Sequence, residues 1–181
     1  MPSRTRMLHT NLWTSKYFWR LEVLEKLVYL FLMFGEPTSE TSVFPLSIPI
    51  YAAQLKMSEK DLREVIRNLE SNNLVVYDEI EEEILVTRYF DHRSPNGGIT
   101  YEMFRNDLAD IHSKNLLLCL TGLAKKYEIP APFYAALADI FPELEDESVM
   151  KEYRIRWGKT LTLAEARNAA SKGRGKAAAA T

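Results

Sequence analysis

The chain has 181 residues, a formal net charge of −2 and 46% hydrophobic residues. That is enough apolar material for one ordinary domain or two small ones, and it excludes a disordered chain. A single cysteine, Cys119, excludes an intramolecular disulfide framework and fits a reducing compartment. The N-terminus carries no signal-peptide pattern, since Arg4, Arg6 and His9 interrupt any apolar region. The most apolar run, 27–34, is too short to span a bilayer, so a cytoplasmic protein with no membrane association is expected. Charge is unevenly placed. Residues 1–20 and 158–181 each sum to +4, and the remainder to −10. Basic ends on an acidic body suit arms that contact a polyanion, and they also suit charged tails that keep a protein in solution.

A first helix is expected over 20–34. Leu24, Leu27, Val28, Phe31 and Leu32 follow helical spacing, and Leu30, Met33 and Phe34 make its second half apolar nearly all round, as in a buried central helix. Gly35 and Pro37 stop it. Residues 36–42 read as a loop. Val43, Phe44 and Leu46 suit a short edge strand bounded by Pro45 and Pro49. A second helix follows from Ile48 to Leu55, with Ser47 as N-cap and Pro49 in its first turn. Ser58 caps a third helix, with Asp61 at capping-box spacing and Leu62, Val65, Ile66 and Leu69 as its buried stripe. Asn72 and Asn73, tolerant of left-handed backbone, end it. Two strands, 74–77 and 84–89, flank a six-residue loop, 78–83.

Helix, short strand, helix, tight turn, helix and hairpin make the order of a winged helix-turn-helix, in which the helix before the hairpin can enter a major groove. The fold class is therefore mainly α with a small β-hairpin: a winged helix-turn-helix followed by a helical C-terminal region. The composition of 91–98, "DHRSPNGG", reads as a linker. Domain boundaries follow at 1–92 for the winged helix with its basic arm, 93–98 for the linker, 99–157 for a helical region and 158–181 for a basic low-complexity tail. In the helical region Tyr101, Phe104, Leu108 and Ile111 form one amphipathic stripe. Residues 116–124 form an apolar helix that Pro130 and Pro132 break, and further helices are expected over 133–141, 147–157 and 162–170.

At 100° per residue, Lys60, Glu64, Arg67 and Ser71 lie opposite the buried stripe of the third helix, with Arg63 and Asn68 on the flanks. Arg reaches guanine edges, Asn reads adenine, and Lys or Arg holds phosphate. The same face, with Glu59, Glu64 and Glu70 in it, also fits an ordinary solvated surface. The hairpin tip carries Asp78, Glu79, Glu81, Glu82 and Glu83. On a DNA backbone it would bring carboxylates to phosphates, so it is not expected to grip DNA. It can point away, dock a basic partner, meet a basic arm of a second copy, or simply discourage edge pairing. Trp13, Tyr17, Phe18 and Trp19, beside Lys16 and Arg20, suit stacking on single strands, or packing back onto the first helix. His9, His92 and His112 match no metal spacing, the tip lacks EF-hand order, Cys119 reads as core, and "GRGK" at 173–176 follows no strand. Neither enzymatic activity nor a cofactor is expected.

The stretches "NLWTSKYFWRLEVLEKLVYLFLMFG" and "LSIPIYAAQLKMSEKDLREVIRNLESNNLVVYDEIEEEILVTRYF" resemble the N-terminal part of phage and prophage replication-initiation proteins, the replisome organisers related to DnaD-type primosome proteins. The resemblance covers about 11–111. It implies binding of double-stranded origin DNA, self-association, and recruitment of a helicase loader or helicase through the C-terminal part. By position it implies DNA contact at Lys60, Arg63, Arg67 and Asn68, with Arg4, Arg6 and Lys16 as supporting phosphate contacts. The second half departs from that family in lacking a tryptophan-rich motif. A protein-interaction module or a transcriptional regulator of a mobile element would use the same scaffold.

Overall fold

A computed structural model of the chain describes residues 9–35, 39–92 and 100–142. The chain divides into two compact units, Met1–Ser94 and Pro95–Thr181. The fold is mainly helical with one small three-stranded antiparallel sheet. Arg4, Arg6, the linker at 93–98, the helices expected at 147–157 and 162–170, and the tail at 158–181 lie outside the described residues.

The first unit begins with a 3-10 turn, Thr10–Thr14, and a short helix α1, Lys16–Arg20. The longer helix α2 spans Val23–Phe34. The helix expected over 20–34 is α2, which starts three residues later, and α1 is a further short helix ahead of it. Leu21 and Glu22 are extended between them, and Glu22 starts α2 through a reciprocal capping box with Glu25, whose Oε2 accepts the Glu22 N–H at 2.9 Å. Nor is α2 buried all round. Val28, Tyr29, Leu32 and Met33 face the core, whereas Leu24 and Leu27, expected in the buried stripe, are exposed.

Strand β1, Val43–Pro45, precedes α3, Ile48–Leu55. Pro49 sits in the first turn of α3 as expected, but the Ser47 side chain makes no cap bond. Lys56, left-handed at φ 55°, closes α3, and its N–H reaches the Ala52 and Ala53 carbonyls. Helix α4, Glu59–Ser71, follows at once. Ser58 Oγ accepts the Asp61 N–H at 3.1 Å and donates its own proton to Asp61 Oδ2 at 2.6 Å, so the cap is made. Leu62, Val65, Ile66 and Leu69 are all buried. Of the two asparagines after α4, only Asn73 is left-handed; Asn72 closes the helix near φ −89°.

Strands β2, Val75–Asp78, and β3, Glu83–Val86, form a hairpin with a four-residue loop, two shorter than expected, because Asp78 and Glu83 pair across it. β1 joins β3 in antiparallel register, Val43 opposite Leu85, giving the order β1-β3-β2. The second hairpin strand ends at Val86, short of the expected 89. Tyr89–His92 is instead a short helix, α5. Asp91 and His92 therefore belong to the folded unit and not to a linker. The core sits where α2 and α3 pack on α4, and α4 on β2.

The second unit contains α6, Tyr101–Ala109, α7, Lys114–Lys126, and α8, Ala131–Ile140. Thr100 and Ser113 cap α6 and α7 through their side chains. The Phe104 ring meets Phe133 edge-on, joining α6 to α8, and Tyr101 Oη donates to Asp139 Oδ2. Cys119 is buried in α7, as its apolar neighbours suggest.

Candidate nucleic-acid interface

The amphipathic pattern of α4 leaves one face open once its four apolar residues are buried. Lys60, Glu64, Arg67, Asn68 and Ser71 are exposed on it, and Arg63 is half-exposed at its edge. Several of these groups are held in place. Arg67 Nε donates to the Arg63 carbonyl at 3.3 Å, Ser71 Oγ to the Arg67 carbonyl at 2.9 Å, and Asn72 Nδ2 to the Asn68 carbonyl at 2.8 Å. These local bonds lie along the helix, and the Arg67 bond uses only Nε of an exposed guanidinium.

The hairpin is anchored to the same helix. Glu70 Oε1 accepts the backbone N–H of Tyr77 at 2.8 Å, and Tyr77 Oη donates to the Leu46 carbonyl at 3.2 Å. Burial, followed by the Glu82 carboxylate, raises the Tyr77 hydroxyl above its ordinary pKa. At the tip, Arg63 Nη1 donates to Glu79 Oε1 at 2.5 Å. The acid-rich tip thus leans a carboxylate against the helix instead of pointing wholly away. Between helix and hairpin lies a groove of about 290 Å³. Ile48, Ile66 and Tyr77 supply its apolar wall, and Arg63, Arg67 and Glu79 supply charge.

Among the candidates, α4 brings Lys60, Arg63, Arg67 and Asn68 together. Lys16 is exposed on a separate element, α1. The N-terminal aromatics divide between the two expectations. Phe18 is buried and Tyr17 half-buried, while Trp13 and Trp19 stay largely exposed, Trp19 Nε1 donating to the Trp13 carbonyl at 2.6 Å. The partnership of Glu79 with Arg63 had no signal in the sequence beyond the surplus of acid at the tip.

A second polar cluster was not anticipated. The buried His92 bonds through Nδ1 to Asn11 Oδ1 at 2.9 Å and through Nε2 to Tyr17 Oη. Arg88 stacks 4.5 Å above the Tyr17 ring and pairs with Asp91 at 3.1 Å. Burial lowers the His92 pKa, with Asp91 opposing and His9 and Arg88 reinforcing the shift. A neutral imidazole suits this place: one nitrogen donates to the asparagine oxygen and the other accepts from the phenol.

Among the described residues no group of His, Cys, Asp or Glu is arranged to hold a metal, and no helix is long and apolar enough to cross a membrane. No protein-family model matches the chain, and neither a curated protein nor a solved structure matches it.

Proposed function

We propose that the first unit is a winged helix-turn-helix, with α3 and α4 as the helix-turn-helix and the β2–β3 hairpin as its wing. In this reading it binds duplex DNA through the outer face of α4, as part of a replication-initiation protein of a phage or prophage. The exposed row of Lys60, Arg67 and Asn68 on α4, opposite a fully buried stripe, carries the reading. A helix backed by a packed core and preceded by a tight turn offers its N-terminal half and outer face to a groove, where guanidinium and amide groups meet base edges and ammonium meets phosphate. Arg63 serves at the margin, beside the wing. Lys16, with Arg4 and Arg6 ahead of it, supplies phosphate contacts from the N-terminal side. The resemblance to replisome organisers assigns the second unit a helicase loader or helicase as partner.

The test is a titration of the full chain with random duplex DNA at several salt concentrations. Phosphate contact makes log K fall linearly with log salt, and replacing Lys60 or Arg67 by Ala reduces that slope by about one. A flat salt response removes the DNA reading.

One observation favours a second reading, a winged-helix protein-interaction module: Val23 and Leu27 are exposed on α2. A protein partner that binds in the absence of DNA, with no measurable duplex binding, would select it.

A further inference from the structure

Two indoles stand exposed near the start of the first unit, and both are restrained. Trp13 is 49% exposed and Trp19 71%. Trp19 Nε1 donates to the Trp13 carbonyl at 2.6 Å, which limits how its ring can turn. The Trp13 ring meets Phe18 edge-on at 5.4 Å, and Phe18 is buried. A free side chain loses rotamer freedom when it binds a partner, and a ring already held in place loses less. The Trp19 N–H is used inside the chain, so what this ring offers outward is a π face without a donor.

Cations border the pair. Lys16, Trp19 and Arg20, at i, i+3 and i+4, share one side of α1, with Lys16 and Arg20 both exposed. Lys26 approaches from α2, where its Nζ donates one proton to the Trp19 carbonyl at 3.4 Å and keeps two more. No acid occurs in residues 1–20, and the next two, Glu22 and Glu25, are engaged in the capping box of α2. We propose that this platform binds single-stranded nucleic acid, with bases stacked on Trp19 and Trp13 and phosphates held by Lys16 and Arg20. Stacking on an indole accepts any base, because every base has a π face, and the flanking cations follow the backbone. Paired strands fit the platform poorly, since an indole reaches a base face in a duplex only by prying a step open. A lipid surface fits it poorly as well, because Val23 would carry the exposed Glu22 beside it into the headgroup boundary. The platform lies on α1 and the turn before it, so it stands apart from the outer face of α4 and does not depend on the duplex reading.

The test is a titration of the full chain with a short fluorescently labelled oligothymidylate, read by anisotropy. In a Trp157→Phe background an unlabelled strand is expected to quench the tryptophan emission. Trp19→Leu keeps an apolar side chain without a π face and is expected to weaken binding about tenfold or more, whereas Trp19→Phe keeps most of the affinity. Lys16→Ala and Arg20→Ala are each expected to reduce the slope of log K against log salt by about 0.7. Circular dichroism spectra that match the wild type verify the fold of each variant. Trp19→Leu is expected to leave the duplex titration unchanged, which separates this platform from α4. Absence of oligothymidylate binding overturns the proposal, as does a Leu variant that binds as well as the Phe variant. Equal weakening of duplex and single strand by Trp19→Leu overturns it too, by showing one shared surface. Phosphatidylserine vesicles that shift the tryptophan emission to the blue, with no effect of oligothymidylate, assign the surface to lipid and overturn it.

Discussion

Arg63 Nη1 lies 2.5 Å from Glu79 Oε1, tying the middle of α4 to the tip of the hairpin. Both side chains are solvent-accessible, 43% and 75%, so the pair contributes little to stability. Its larger effect is on availability. A guanidinium held by a carboxylate presents less positive potential to an incoming phosphate, so on the proposed DNA reading the acidic tip competes with DNA for Arg63. Glu79→Gln is expected to raise duplex affinity several-fold and to steepen the salt dependence, while changing stability by less than about 0.5 kcal/mol. Salt-resolved titrations of the two proteins check this. Equal slopes and affinities would place Arg63 outside the contact.

Leu69 is fully buried in the stripe of α4 and Lys60 stands on its outer face. Leu69→Ala is expected to cost about 2–5 kcal/mol of first-unit stability, and Lys60→Ala to stay within about 0.5 kcal/mol. Urea unfolding followed by Trp13 and Trp19 fluorescence, in a Trp157→Phe background, reports on the first unit. If the two losses were alike, the division of α4 into inner and outer faces would be wrong.

Ser58 supplies the N-cap of α4 through its hydroxyl. Ser58→Ala removes that acceptor and leaves the Asp61 amide to water, an expected loss of about 1 kcal/mol. Ser58→Asp restores an acceptor at the helix start and is expected to recover most of it in the same unfolding assay.

His92 has a folded-state pKa below its ordinary 6.5, chiefly through burial. The unfolded chain then binds a proton that the folded chain refuses, so stability rises with pH in that window. The His92 contribution is complete above 6.5 and is lost as pH falls from there toward the lowered folded value. Unfolding midpoints measured across this range are expected to fall on acidification in the wild type, and to fall less in His92→Gln. Identical pH profiles would show that the imidazole does not titrate differently on folding.

How far the sequence reached depended on the range of the interaction. The α4 stripe, the Ser58 cap and the bounds of α3 are set by side chains within a turn of one another, so periodicity and capping spacing reveal them. The break at Leu21 and Glu22 was also local. Its signal was the pair of acids three residues apart at 22 and 25, which the surrounding apolar run outweighed. That run misled a second time, because a helix in a unit of this size has too little neighbouring surface to bury Leu24 and Leu27 as well as Val28 and Leu32. The bonds from His92 to Asn11 and from Glu79 to Arg63 cross 81 and 16 residues. Nothing in composition or spacing marks such partners, so a histidine assigned to a linker is in fact a buried anchor, and an acidic tip with several open roles has one carboxylate engaged.

The bond between Asn11 and His92 also joins the two ends of the described part of the first unit, which runs from His9 to His92. The first unit is therefore closed like a loop drawn tight at its neck. Such a body can be spliced into a host protein through short joints or circularly permuted with little strain.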